Sequence, residues 1–366
     1  MVALDANSGE EIWRFDTVPA DGAPGSKSWN GAPASQRGGA GVWSAASYDY
    51  VNDRVIFGTG NSYAVRTMLS KDPKRPAAAL FANTTLSLDA KTGALAWYFQ
   101  HGPGDVWDED WAYERMIVKN PRGGDKPVVM TMGKLGILDV VDMKTGKYLW
   151  SYDYGIQNLV SSTNPATGLR KFDAAKIPRE SDVTSLCPYA GGVRNWPSTS
   201  YDPEKAVLFI AALDACMETM IDDTAIGGSV WKVKPRDGSG NNYGHITAVD
   251  LYTGKKLWDN VHRSPEAAAV LATAGGLVFE GTRDRWFRAL DSGTGKTLWE
   301  TRLADTPNSF PITYKAGGKQ FVAIITGGGT YFDGFVSHLT PEIEASTGNP
   351  TIFVFALEGD VPDTSK

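Results

Sequence analysis

Short apolar runs, each cut off by glycine, aspartate or asparagine, follow one another along this chain. The segments SYDYVNDRVIFGTGN (47–61), VVMTMGKLGILDVV (128–141), SYDPEKAVLFIAAL (200–213), GGLVFEGTRDRWFRAL (275–290) and KQFVAIITGGG (319–329) share the pattern. Runs of this kind, alternating or fully apolar, predict strands, and the breakers between them predict turns. Gly 40 and Pro 20, with 42% hydrophobic residues, point the same way: many short elements joined by turns, not a helical bundle.

A repeat organises these strands. DANSGEEIW (5–13), DAKTGALAW (89–97), DMKTGKYLW (142–150), DLYTGKKLW (250–258) and DSGTGKTLW (291–299) all fit Asp-x-x-[Ser/Thr]-Gly-x-x-x-Trp. Asp with Ser/Thr-Gly makes a tight turn, the glycine allowing positive φ. Apolar residues before the Asp (Val2, Ala3 and Leu4; Leu86 and Leu88; Val140 and Val141) form the entering strand. The Trp sits on the leaving strand, placed to pack on a neighbouring unit. Successive tryptophans are 84, 53, 108 and 41 residues apart, and one four-stranded propeller blade takes roughly 40–50 residues. The fold expected is therefore all-β, a single β-propeller domain over 1–357 with five complete or nearly complete blades and one partial blade. The acidic end, 358–366, reads as a disordered tail. The chain starts inside a repeat, and propellers close by joining first and last blades, so a missing N-terminal portion is expected.

The net charge of −6 and the lack of any basic run exclude a nucleic-acid partner. No stretch approaches the roughly 18 apolar residues of a membrane helix, and MVALDANSGEEIW has neither part of a signal peptide. Two cysteines, Cys187 and Cys216, exclude a Cys-built metal cluster and leave a disulfide or two buried thiols open. Four scattered histidines, His101, His245, His262 and His338, argue against a His-built site. A metal would then be held by oxygen, which means a hard cation. One stretch offers such oxygens: GPGDVWDEDWAYERM (102–116) sets Asp105, Asp108, Glu109, Asp110 and Glu114 around Trp107 and Trp111. Arg115 is placed to pair with one of these acids.

The five turns, together with the blocks around 43–61, 105–115, 128–141, 185–216 and 271–302, resemble the quinoprotein alcohol dehydrogenases. These are eight-bladed propellers that bind pyrroloquinoline quinone (PQQ) and a metal ion, and the repeat resembles their tryptophan-docking motif. The resemblance runs from about residue 2 to about 330 and covers the C-terminal two thirds of such a protein. It implies that Trp43 is the floor under the quinone and that Asn61, 18 residues later, binds the metal. Asp108 falls on the family's catalytic aspartate and also lies near the metal. Asp110 matches an extra aspartate of the lanthanide-dependent members, where calcium-dependent members have a small or neutral residue. A strand-like segment would point 108 and 110 to one side. Lys134 takes the place of a Lys or Arg that hydrogen-bonds the reactive carbonyl, which makes it both a cofactor contact and a catalytic group. Asn195 resembles a cofactor-contacting asparagine, and Trp196 adds to the pocket wall. Cys187 and Cys216 match a paired-cysteine spacing, which implies a disulfide and a periplasmic setting.

The implied reaction oxidises an alcohol to an aldehyde or ketone. Asp108 takes the hydroxyl proton, and the cofactors are PQQ with Ca²⁺ or a lanthanide, the latter favoured by Asp110. Electrons pass to a cytochrome c-type acceptor, and a homodimer is compatible. There are departures. Residues 1–40 lack the family's glutamate ligand, no adjacent cysteines occur, Phe279 replaces a pocket tryptophan, and no C-x-x-C-H encodes an attached haem. A non-catalytic propeller of the same ancestry, or an inactive fragment, would carry the same docking repeats. Trp43, Asn61, Asp108, Lys134 and Asn195 separate the scaffold from the enzyme, since a scaffold has no reason to assemble them; a fragment would keep them.

Overall fold

The computed structural model describes residues 1–366 except 73, 75, 181, 223–228, 328–332, 345, 347, 349 and 357–366; the expected tail, 358–366, lies outside the described residues. The all-β expectation holds. Among the described residues the two α-helices, Val65–Leu69 and Asp333–Val336, are about one turn each, and no helix is long and apolar enough to cross a membrane. The chain divides into two compact units, 1–196 with 215–234 and 197–214 with 235–366.

The first unit contains two four-stranded antiparallel sheets in sequential order. One is Ser47–Asp49, Arg54–Gly58, Thr84–Asp89 and Leu95–Gln100; the other is Met116–Lys119, Pro127–Met132, Ile137–Asp142 and Tyr148–Asp153. A hairpin, Val2–Leu4 with Glu11–Arg14, precedes them. Thr184–Leu186 pairs with Ala215–Ile221, and beside this pair the Cys187–Cys216 disulfide closes the question the sequence left open. The second unit has Ser200–Asp202, Val207–Leu213, Gly244–Asp250 and Lys255–His262 in one sheet and Leu271–Ala272, Leu277–Gly281, Trp286–Asp291 and Thr297–Arg302 in another. A three-stranded sheet of Ile312–Ala316, Lys319–Thr326 and Thr351–Ala356 follows.

Inner strands are buried almost throughout because both faces are covered. Thr84–Leu88 is buried at every position, whereas the next strand, Leu95–Gln100, is partly exposed. Side chains from adjacent sheets meet between them: Ile56 and Trp97 pack with Val129, Val141 and Met143 in the first unit.

The repeat explains how the sheets are fastened. In three of its turns the Asp takes the Thr hydroxyl and amide at 2.7–2.9 Å: Asp89 with Thr92, Asp142 with Thr145, Asp291 with Thr294. The glycine that follows has φ near +70° in each. It serves a second purpose. Trp13, Trp97 and Trp258 lay their rings on Gly93, Gly146 and Gly295 of the next turn, where a Cβ would stand only 2.5–2.6 Å from ring carbons. Each indole Nε1 also donates to a carbonyl of that turn, Ala90, Met143 or Ser292, at 3.0 Å. Trp150 and Trp299 differ. Trp150 donates to Asn120 Oδ1 and carries the Arg122 guanidinium 3.9 Å above its ring, and Trp299 packs edge-on to Phe355.

Up-and-down order has one consequence for function. In each unit the docking turns occupy one end of the sheets. In the first unit the segment before Ser47 and the connections after Gly58, Gln100 and Met132 all emerge at the other end.

Two alanine substitutions separate the two purposes of the docking glycine. Gly124 also has positive φ, but a methyl group there would meet nothing within 4 Å, so Gly124→Ala should cost only the left-handed penalty, about 1–2 kcal/mol. Gly146→Ala should add overpacking against Trp97, about 1–3 kcal/mol more. Urea unfolding measures both; equal losses would remove the role assigned to the bare glycine face.

Candidate active site

The acidic stretch is a loop, not a strand, between Leu95–Gln100 and Met116–Lys119. Asp105 organises it. One carboxylate oxygen accepts from the Trp107 amide at 2.8 Å, and the other accepts from the Glu109 amide at 2.8 Å and Asn83 Nδ2 at 2.7 Å. Desolvation still pushes the Asp105 carboxyl above its usual range, against those bonds. The two tryptophans clamp the loop. Trp107 donates to the Lys176 carbonyl at 2.6 Å and packs on Phe172. Trp111 stacks on His101 with ring centres 4.2 Å apart and lies flat on Gly133, which has no room for a Cβ. The rings are therefore anchors, and the acids between them are held in a fixed loop.

Arg115 does not pair with a loop acid. Its guanidinium lies on Gly58 and donates to Thr85 Oγ1 and the Tyr113 carbonyl. Glu114 is taken by Arg194 at 2.7 Å instead.

Lys134 gathers the two central carboxylates. It sits in the turn between Pro127–Met132 and Ile137–Asp142, and its amide donates to the Asp110 carbonyl at 3.0 Å. Its Nζ lies 2.5 Å from Asp110 Oδ2 and 3.2 Å from Asp108 Oδ1, and donates to the Asp108 carbonyl at 2.8 Å. Burial opposes its charge, but Asp108 and Asp110 outweigh that and hold its pKa well above the usual lysine range. The strand-like alternation expected for 108 and 110 is absent: Asp108 takes φ of +72°, and the lysine brings the pair together. Exposure divides them. The Asp110 side chain is sealed, whereas 36% of the Asp108 side chain is open. Desolvation pushes the Asp108 carboxyl up against the pull of Lys134, with Asp110 and Asp105 adding to the rise; its open third lets solvent temper the effect.

Asn61 joins through its backbone, its amide donating to Asp110 Oδ1 at 2.7 Å. Its side-chain Oδ1 is buried and has no partner. Gly60 makes this approach possible, because a Cβ there would stand 2.5 Å from Asp110 Oδ1 and 3.2 Å from the Trp43 ring. Trp43 is 45% exposed, a large area for an indole. Tyr113 meets its edge, and Lys134 Nζ lies 5.8 Å from its ring centre.

The structure thus brings Trp43, Asn61, Asp108, Asp110 and Lys134 into one constellation. Asn195 and Trp196 attach through the neighbouring backbone, the Val193 amide donating to the Lys134 carbonyl at 2.7 Å. The Asn195 side chain serves its own loop, donating to the Gly191 carbonyl and accepting from the Trp196 amide. Sequence reasoning missed Gly60 and Tyr113, and it named Glu109 only as one acid of the stretch, with no role of its own. The Gly-Thr-Gly-Asn run was a signal for Gly60. Nothing singled out Glu109, which is 2% exposed with both carboxylate oxygens unpartnered, so that burial pushes its carboxyl well above the usual range. Asn61, Asp108 and Asp110 form an oxygen-only donor set, which fits a hard cation, and the unpartnered Asn61 Oδ1 is an acceptor with no task inside the protein. The exposed face of Trp43 fits a planar ring.

Residues 1–154 and 239–322 match the family described as PQQ: Glucose/ethanol/alcohol dehydrogenase, beta-propeller domain. The lupanine 17-hydroxylase [cytochrome c] of a Pseudomonas species is 30% identical over 351 residues, covering 89% of this chain and 49% of that protein. The quinohemoprotein alcohol dehydrogenase of Comamonas testosteroni is 27% identical over 396 residues, covering 98% and 53%. Among solved structures, a europium-containing methanol dehydrogenase superimposes with a TM-score of 0.85 at 23% identity, covering 97% of this chain and 69% of that one, which shows the fold alone. The quinohemoprotein alcohol dehydrogenase ADHIIG of Pseudomonas putida HK5 gives a TM-score of 0.85 at 25% identity, covering 99% and 57%. The chain spans about half the length of the curated relatives it matches. By its sequence match over most of its length, the chain belongs to the PQQ-dependent glucose/ethanol/alcohol dehydrogenase β-propeller family.

Proposed function

We propose that this chain carries the PQQ- and metal-binding face of an alcohol dehydrogenase, which oxidises an alcohol to an aldehyde or ketone and passes the electrons to a cytochrome c-type acceptor. One observation carries the reading: a single buried lysine joins a sealed carboxylate and an open one, beside an exposed indole face and an unpartnered amide oxygen. A scaffold has no use for that combination, because burying charges away from water is costly unless they have a task.

Asn61, Asp108 and Asp110 would hold the metal ion, and Trp43 with Lys134 would hold the cofactor. When bound, PQQ supplies the two-electron acceptor and the ion supplies Lewis acidity. The protein does the rest. Trp43 presents its exposed face, and the bare Gly60 lets the ring sit close to Asp110. Asp108, the carboxylate open to the outside, takes the hydroxyl proton of the alcohol as the carbinol hydrogen leaves with its electrons. Lys134, fixed by the Asp108 carbonyl and Asp110, keeps its ammonium where negative charge develops on oxygen. Asp105, Trp107 and Trp111 hold the loop so that this geometry needs no rearrangement during the reaction. Asp110 adds a second anionic oxygen, which favours a trivalent lanthanide over calcium. The Cys187–Cys216 disulfide supports a periplasmic setting.

Titrating the chain with PQQ in the presence of La³⁺ or Ca²⁺, read by tryptophan fluorescence, should give metal-dependent binding that is tighter with La³⁺. Asp110→Asn should erase the preference. A folded chain that binds no PQQ with either ion would overturn the proposal. Asp108→Asn keeps an oxygen toward the metal but removes the base, so it should weaken cofactor binding far less than it lowers dye-linked alcohol oxidation, which should fall on the order of 10²–10⁴-fold; an unchanged rate would show that another group takes the proton.

A further inference from the structure

The second unit contains a group of side chains that the dehydrogenase reading leaves unused. His262 ends the strand Lys255–His262, Glu280 lies in Leu277–Gly281, and Glu266 lies in the segment between these sheets. That segment is anchored by a bridge from Glu266 to Thr282 and by the Ala267 amide donating to the Gly281 carbonyl at 2.9 Å. One ligand atom from each residue lies within 4.8 Å of the others. The group sits at the end of its sheets away from their docking turns.

Its polar atoms are short of partners. Both Glu266 carboxylate oxygens, Glu280 Oε2 and His262 Nε2 are buried without a hydrogen bond. Glu280 is fully buried, and its other oxygen is engaged by Arg288 at 3.0 Å. Gly244, opposite His262 in the sheet, has no room for a Cβ: it would stand 2.9 Å from Glu266 Oε1. The bare glycine therefore lets the Glu266 carboxylate in beside the histidine. Two buried carboxylates with three free oxygens facing one imidazole are costly to leave alone.

We propose that His262, Glu266 and Glu280 bind a divalent first-row transition-metal ion of the zinc class, separate from the oxygen-only site of the first unit. The donor set gives the class: an imidazole nitrogen suits zinc and its neighbours, whereas calcium and lanthanides take oxygen. Ligand atoms at about 2.1 Å from one ion stand roughly 3–3.5 Å apart, so side-chain rotation closes the gap. His262 Nε2 has no hydrogen-bond partner inside the protein, which leaves it available to an ion. Among the described residues Arg288 is the cation that lies against the cluster, and Glu300 shares its charge at 3.0 Å. The sequence, with its histidines scattered, argues against such a site; the fold assembles it from one histidine and two acids.

Cobalt(II) tests this on the whole chain. After chelator treatment, with Ca²⁺ in excess to fill the oxygen-only site, the chain should bind one equivalent of Co²⁺ with visible absorption bands. His262→Ala and Glu266→Gln should each weaken binding at least about 10-fold, while Asp110→Asn leaves it unchanged. Thermal unfolding without metal should show each variant folded, Glu266→Gln at least as stable as the parent because it removes an unpaired buried acid. If that variant does not fold, Glu280→Gln gives the same reading. No retained Co²⁺, or variants that bind like the parent, would overturn the site in favour of two glutamates sharing protons. Loss of binding in Asp110→Asn would overturn it in favour of the first-unit site. None of these results depends on PQQ binding or turnover.

Discussion

An indole ring laid flat on a glycine is the contact on which this structure depends. At the docking end, Trp13, Trp97 and Trp258 fasten each sheet to the turn of the next and satisfy a turn carbonyl as they do so. At the other end of the first unit the same pairing builds the site. Trp111 on Gly133 pins the acidic loop to the lysine turn, and Trp43 covers Gly60 beside Asp110. The contact works because glycine removes the one atom that would hold the ring off the backbone, so a large apolar area is buried against main chain with little side-chain entropy lost.

Charge is handled with the same economy of means. Lys134 places its ammonium between Asp108 and Asp110, and the further carboxyls around it, Asp105 and Glu109, have their ionisation opposed by burial. A buried ion pair of this kind contributes little to stability, because desolvation cancels much of the attraction. Its value is positional. The lysine holds a carboxylate that is open to the outside and one that is not, and the backbone at Asp108 takes an unfavourable conformation to allow it.

Much of this is legible in the sequence, for identifiable reasons. The repeat sets strand, turn and tryptophan in register because its Asp, Thr, Gly and Trp each meet a local demand. The 18-residue interval from Trp43 to Asn61 survives folding because one strand pair links them. Composition locates the loop around Asp108 but not its geometry. Alternation along a strand does not apply there, and the residue that gathers the two acids, Lys134, comes from a turn in the sheet that the loop leads into. Arg115 invites an acid partner because the nearest charges in the chain are acids, whereas the fold offers it a bare glycine and a threonine. The His262, Glu266 and Glu280 group is invisible for the opposite reason. Its members carry no spacing signal and meet only because the Glu266 segment is pinned against Gly281 and Thr282.

The placement of docking turns and the acidic and lysine-bearing loops at opposite ends of the first unit's sheets has an evolutionary reading. Substitutions in the loops that shape a pocket leave the tryptophan contacts untouched, and substitutions that tune the contacts leave the pocket in place. Two sets of residues at the two ends of the same strands can therefore drift under separate selection. A chain built this way can change the molecule it accepts many times over without having to find its fold again.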